Sequence, residues 1–226
     1  MIQDFEEIPG TVLLSRQVEE RIRKAITSGR MQPNVLYTEA AIARQLGVSR
    51  TPVREAVLDL ESRGFVAIFP RRGFQVRIFT EEAVREVYDL RWALESHALR
   101  TLAEHPERYD LSRLTEAAKA QKESAAKGDI TNAVIFGRNF HNEMLRMNAN
   151  SMISKIFDDI QDIISVMWSQ AFTKSISAGD VADDHLLLID LIRKGDVDAV
   201  CSLLREHLRR SEQAVLAAQA STAQMS

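Results

Sequence analysis

The sequence predicts a mainly α-helical chain in two parts, three helices and a two-stranded β-hairpin in front and an all-helical bundle behind. Three observations predict it. Four of the five prolines (Pro9, Pro33, Pro52, Pro70) fall in the first 70 residues and none follows Pro106. From about Thr80 onward, apolar residues recur at spacings of three and four, the helical period. The charge also divides: residues 11–78 carry 12 Lys+Arg against 6 Asp+Glu, residues 79–226 carry 17 against 23, and the first ten residues carry three acids. The net charge of −3 therefore conceals a basic part joined to an acidic one, which points the first toward a polyanion and leaves the second for another task.

In chain order, residues 1–10 read as a tail and residues 11–78 as the first domain. Leu14, Val18, Ile22, Ala25 and Ile26 make one helical stripe that ends at Ser28-Gly29. Thr38 can cap a short second helix through Ile42 and Leu46, and Gly47-Val48-Ser49 turns into a third from Arg50 to about Arg63. Pro52 falls in the first turn of that helix, where its missing N–H costs nothing. Phe65–Phe69 and Phe74–Phe79 alternate as paired strands around Pro70-Arg71-Arg72-Gly73, with Val66 and Ile68 on one and Val76 and Ile78 on the other. Helix, helix, turn, helix and hairpin is the order of a winged helix-turn-helix. Residues 79–217 then read as about six helices, opened by Thr80 with Glu81 and Glu82 in the first turn. Breaks fall at His105-Pro106, Gly128-Asp129, Asn148–Ser151, Ser177–Gly179 and Gly195-Asp196. Residues 218–226 lack an apolar face and are expected to fray as a C-terminal tail.

Composition narrows the class. With 45% hydrophobic and 27% charged residues the 226-residue chain should fold and bury real cores. Its longest uncharged apolar stretch, Ile163 to Thr173, is well short of the ~20 residues that span a bilayer. The first residues lack a secretory pattern and Cys201 is the single cysteine, so a reducing cytoplasm fits and no disulfide framework forms. Cys201 is expected to pack as a small apolar group beside Val200.

The third helix carries the chemistry of the first domain. Val53, Ala56, Val57 and Leu60 share one face, while Arg50, Thr51 and Arg54 lie off it. Arg50 and Arg54 are one turn apart, and an arginine fork pairs bidentately with guanine in the major groove. Ser49 and Thr51 bring hydroxyls for phosphate oxygens beside the helix N-terminal amides. Arg71, Arg72 and Gly73 make a short basic tip suited to backbone or minor groove. Any one of these arginines alone reads as a solvated face; together in this element order they point to DNA.

The stretch GVSRTPVREAVLDLESRGFV, Gly47 to Val66, followed by PRRGFQV, Pro70 to Val76, resembles the DNA-binding domain of the GntR family of bacterial transcriptional regulators. VYDLRWALE (Val87 to Glu95), NFHNEML (Asn139 to Leu145) and DHLLLIDLIRKGDVDAVCSLLREHL (Asp184 to Leu208) are similar to the FCD effector domain of the FadR subfamily. The resemblance implies a homodimer on a pseudo-palindromic double-stranded DNA operator, controlled by a small metabolite in the helical domain. It places Ser49, Arg50, Thr51 and Arg54 on the operator and Arg71 and Gly73 at the wing tip. Ala40 departs from it, standing where relatives often carry an arginine that reaches DNA.

His141, His185 and His207 each fall on the apolar face of a different expected helix. One buried imidazole is usually satisfied by a single partner; three facing inward make a nitrogen-rich pocket suited to zinc, nickel or a similar divalent ion with positions left open. In FCD domains that resemble this one, three such histidines join an aspartate one turn before the first. Here that position is Gly137, which leaves space for water or an effector carboxylate. Asp183 and Asp184 adjoin His185, either as acceptors for its ring or as a solvated helix start. Arg91, on an inward face, either grips the carboxylate of a small organic acid or pairs with Glu95 four residues on.

Two other functions compete. A metal-free sensor of apolar or acyl ligands on the same fold would want a dry pocket without nitrogen donors. A three-histidine metallohydrolase would want a general base at fixed spacing, which is missing, and would leave the basic module unexplained. The reading preferred is a regulator, not an enzyme.

Overall fold

The computed structural model describes residues 11–171 and 178–223. The tail 1–10, Ser177 of the expected Ser177–Gly179 break and residues 224–226 lie outside the described residues. Two compact units divide the chain, Met1–Ile78 and Phe79–Ser226.

In the first unit α1 (Thr11–Thr27) packs on α3 (Arg50–Ser62), with α2 (Glu39–Leu46) against α3. Val18, Ile22 and Ile26 of α1 meet Val53, Ala56, Val57 and Leu60 of α3 in a core closed by Phe65 and Phe74. Thr38 caps α2 by accepting the Ala41 N–H at 3.2 Å, and Gly47, at φ 68, ends it in the left-handed conformation that lets the chain reverse into α3. Ala25, expected on the buried stripe of α1, is only half-buried, and Leu14 is exposed.

The hairpin pairs β1 (Val66–Phe69) with β2 (Gly73–Val76) in antiparallel register, Val66 opposite Val76 and Ile68 opposite Phe74. Both strands are shorter than the sequence suggests. Arg77 N–H still donates to Phe65 O, but past it no strand among the described residues pairs with the chain, and Ile78 is half exposed. A contact of long sequence range extends the sheet: Tyr37 and Phe74 exchange backbone hydrogen bonds at 2.9 Å in both directions.

The second unit contains, among the described residues, six α-helices: α4 (Glu81–Glu104), α5 (Ser112–Ala126), α6 (Ile130–Met147), α7 (Ser151–Ala171), α8 (Ala178–Lys194) and α9 (Val197–Ala223). A single 3-10 turn, Pro106–Arg108, follows α4. Thr80 caps α4 by accepting the Ala83 N–H at 3.1 Å, above two first-turn acids, and Asp129 caps α6 by accepting the Asn132 N–H at 3.1 Å. α4 lies along α9, and α5 packs against both α6 and α8. Val84, Leu99 and Leu102 of α4, Phe140 and Met144 of α6, Leu188 and Ile192 of α8 and Val200 and Leu204 of α9 are essentially inaccessible to solvent. Beyond Ala217, where the sequence suggests a fraying tail, α9 continues to Ala223; alanine-rich composition sustains a helix there without an apolar stripe. Cys201 is a free, buried thiol, as expected of a small apolar filler.

No helix of the described residues is long and apolar enough to cross a membrane.

Candidate functional site

On α3 the two expected faces are separate. Pro52, Val53, Ala56, Val57 and Leu60 are buried, while Arg50, Thr51 and Arg54 are exposed. Ser49, at the N-cap, has an extended backbone and makes no side-chain capping hydrogen bond, so its hydroxyl is not committed to the helix end. Other arginines of this unit are spent internally: Arg23 and Arg63 both pair with Glu19, at 3.3 and 2.9 Å. Arg50, Arg54, Arg71 and Arg72 form no ion pair with any described residue, so their charge faces solvent.

The hairpin tip is a tight turn in which Arg72 N–H donates to Phe69 O at 3.0 Å, with Pro70 second and Arg71 third at φ 64. Proline second and a positive φ third define a type II turn, and it holds both arginines exposed. Gly73 is at the start of β2, and its role there is steric. A Cβ on it would lie 2.1 Å from Tyr37 O, so only glycine lets the 37–74 backbone pairing close.

In the helical unit, His141 on α6, His185 on α8 and His207 on α9 are buried and converge, each offering a ring nitrogen within 4.8 Å of the others. Each ring's Nδ1 is engaged from outside. His141 Nδ1 donates to Glu95 Oε2 at 2.8 Å, His185 Nδ1 to Gln121 Oε1 at 2.7 Å and His207 Nδ1 to Asp184 Oδ2 at 3.0 Å. A proton held on Nδ1 leaves Nε2 with a bare lone pair. His141 Nε2 and His185 Nε2 thus face each other at 3.2 Å, two acceptors with no proton to share, and the donor nearest His141 Nε2 among the described residues is Arg91 Nη2 at 3.4 Å. Phe140 stacks on His185 at 4.0 Å and 11°, fixing its ring plane. Burial pushes His141 below the ordinary imidazole value against the pull of Glu95, and it pushes His185 well below, helped by the two neighbouring rings. Both rings are neutral at neutral pH, the state that ligates a metal.

The partners of the rings differ from those the sequence suggests. Asp184 holds His207, not its neighbour His185, and it also pairs with Arg210. Asp183 turns outward to Lys122 at 2.6 Å. Glu95, buried on α4, bridges His141 and Arg91, whose Nε donates to Glu95 Oε1 at 2.7 Å. Burial pushes the Glu95 carboxyl up, but Arg91 and His141 outweigh it and hold it down at about 2. Arg91 thus realises its intrahelical pair, and its Nη2 still reaches 3.4 Å from His141 Nε2, facing the cluster.

A cavity of about 80 Å³ opens beside the rings, lined by all three histidines, by Arg91, Gln121, Gly137 and Arg138, and further by Gln161, Ser165, Ile164, Trp168 and Ser211. The space expected to be open beside Gly137 is taken: a Cβ there would lie 2.7 Å from Gln121 Nε2. Glu95 and Gln121 are site residues that the sequence does not single out. Glu95 carries a signal, its spacing from Arg91; Gln121 carries none, since its role depends on how α5 packs against α6 and α8.

Comparison with known proteins agrees with both units. Residues 14–76 match the model of the bacterial regulatory proteins of the gntR family, and residues 86–210 match the FCD domain. A relative described as "Probable D-xylose utilization operon transcriptional repressor" of Paenarthrobacter nicotinovorans is 29% identical over 86% of this chain and 85% of its own length. The gluconate operon transcriptional repressor of Bacillus subtilis is 27% identical over 80% of this chain and 76% of its own length. Among solved structures, one described as "a putative transcriptional regulator GntR from Rhodococcus sp. RHA1" superposes with a TM-score of 0.80 at 26% identity, covering 90% of this chain and 97% of that one. These relatives are regulators, not enzymes. The chain belongs to the GntR family of DNA-binding bacterial transcriptional regulators, with an FCD domain behind the winged helix-turn-helix.

Proposed function

We propose that this regulator works in the cytoplasm as a homodimer on a pseudo-palindromic operator, and that a small organic acid, bound with a divalent metal in the FCD domain, changes its affinity for DNA. Arg50 and Arg54 read base edges from the N-terminal half of α3, Ser49 and Thr51 hold phosphates, and Arg71 and Arg72 take the flanking backbone or minor groove. What supports this assignment is the contrast within the unit: these four arginines are exposed and unpaired, whereas Arg23 and Arg63 are tied to Glu19. A dimer is needed because one short helix contacts too few base pairs for useful specificity.

The convergence of three imidazoles, with the Nε2 atoms of His141 and His185 turned to each other, carries the metal reading. Imidazole nitrogens suit zinc or nickel, and Zn–N bonds of about 2.0–2.1 Å place two ligands of one ion little more than 3 Å apart. His141 and His185 already stand at 3.2 Å. Glu95 and Asp184, accepting from the far nitrogens of His141 and His207, orient the rings and raise their basicity. When bound, the ion supplies a Lewis-acidic anchor for an oxygen ligand. The side chains then define the effector: Arg91 turns a guanidinium edge toward the cluster, and Gln161, Ser165 and Ser211 give the cavity polar walls. An acid fits these better than an acyl chain does, and one relative is named for the operon of gluconate, itself a small carboxylate. The acid acts by altering how the two DNA modules of the dimer are held, since its pocket belongs to the other unit.

Operator binding followed by fluorescence anisotropy, with small organic acids added in the presence of zinc and after chelation, tests this. A metal-dependent shift in operator affinity with a carboxylate is the expected result. A response to uncharged or long-chain apolar ligands alone would favour the metal-free sensor.

A further inference from the structure

The charges around the histidine cluster close among themselves. Glu95 is matched by Arg91 at 2.7 Å, Asp162 by Arg138 at 2.9 Å, and Asp184 by Arg210. The rings of His141 and His185, held below the ordinary imidazole value by burial, add no charge. Gly137, one turn before His141 on α6, is a cavity-lining helical position from which a side chain could enter the site as an anionic ligand, and it is both empty of a side chain and roofed. The carboxamide of Gln121 lies over it, Nε2 at 2.7 Å and Cδ at 3.2 Å from where a Cβ would be. The amide is pinned there because its Oε1 accepts from His185 Nδ1 at 2.7 Å. Gln121 is buried and neutral, so the space over position 137 is filled by bulk without charge.

A divalent cation held by three neutral nitrogens in this buried pocket would keep its double charge uncompensated by the protein. Burying such a charge is costly until an opposite charge joins it. We infer that the Gln121–Gly137 pair makes the cluster a neutral donor set that holds a divalent cation firmly only together with an anion from the cavity, so that metal and carboxylate bind with positive linkage. The inference rests on the three-histidine metal reading above and adds to it a direction: each ligand tightens the other by the same factor. Metal alone, or acid alone, would leave the site weakly filled. The regulator would then report the two together.

Zinc titrations of the full chain by calorimetry in a non-coordinating buffer, in sodium acetate or in sodium perchlorate of equal ionic strength, test this. Wild type is expected to bind zinc at least about ten-fold more tightly in acetate, within the usual range of coupling between sites. A Gln121→Ala/Gly137→Asp double variant, which removes the roof and supplies a carboxylate, is expected to bind zinc tightly in perchlorate and to change less than about two-fold in acetate. Cobalt in place of zinc gives a second readout, its visible spectrum changing on acetate addition in wild type. Equal zinc affinity of wild type in the two salts would overturn the linkage and leave the metal site standing. An acetate dependence unchanged in the double variant would overturn the role given to Gln121 and Gly137. Zinc binding no better than that of His185→Ala in either salt would remove the metal reading and the linkage with it.

Discussion

Glu95 Oε2 accepts the Nδ1–H of His141 at 2.8 Å while its other oxygen takes the Nε–H of Arg91, so one buried carboxylate joins α4 to the histidine cluster on α6. Removing its charge would strand Arg91 as an uncompensated buried cation, and breaking a buried pair from one side costs about 3–5 kcal/mol. Glu95→Gln is therefore expected to lower stability by about that much in urea denaturation. Arg63→Ala, which removes one partner of a partly exposed pair with Glu19, should lose no more than about 1 kcal/mol. Equal losses in the two variants would show that the Glu95 bridge is not special.

Two arginines of the DNA-binding unit should behave differently. Arg54→Ala is expected to cost about 1–3 kcal/mol at the specific operator and to relax base preference at one position in each half-site. Arg72→Ala should weaken binding to all sequences evenly and lower the slope of log affinity against log salt by about one. Anisotropy titrations against specific and random duplexes over a range of salt separate them. An intact footprint and affinity in Arg54→Ala would rule out this docking of α3.

Glycine is needed at Gly73 for a reason that does not apply at Gly64. Both have positive φ, 139 and 81 degrees, but a Cβ on Gly73 would strike the Tyr37 carbonyl at 2.1 Å while one on Gly64 would meet nothing within 4 Å. Gly64→Ala should cost about 1 kcal/mol of backbone strain, and Gly73→Ala at least about twice that, because the 37–74 backbone pairing must open. Thermal melts of the two variants give the comparison. Similar melting temperatures would show that the wing accommodates a side chain at Gly73.

Burial pushes the Tyr88 phenol up to about 12. A group whose pKa is raised by folding adds stability that is complete below its unfolded value, about 10, and lost as pH rises through the folded one. Between pH 10 and 12 wild type should accordingly lose up to about 2.5 kcal/mol relative to Tyr88→Phe, which has no proton to release. Urea denaturation of both proteins across that range measures the difference, and parallel curves would contradict it.

Local sequence is enough for the elements of the first unit, because their causes are local. The stripe Val18, Ile22, Ile26, the Thr38 cap and the Gly47 turn each act within a few residues. The two faces of α3 follow from the helical period alone, so the exposure of Arg50 and Arg54 is legible in the order of residues along the helix. Strand lengths are less so. Whether Ile78 belongs to a strand depends on a partner, and the partner strand begins at Val66. The reason for Gly73 is hidden for the same cause, since Tyr37 lies far from it in sequence.

By itself the sequence determined that three histidines face inward on three helices, since periodicity places each on an apolar face, and that position 137 brings no carboxylate. Tertiary structure alone decided what those rings do. It brought Glu95, Gln121 and Asp184 to the three Nδ1 atoms, turned the Nε2 atoms of His141 and His185 toward each other, and laid the Gln121 amide over Gly137. Hydrogen-bond direction and net charge at a site depend on which side chains helix packing brings within about 3 Å, and helical period says which face a residue is on but not what it meets there.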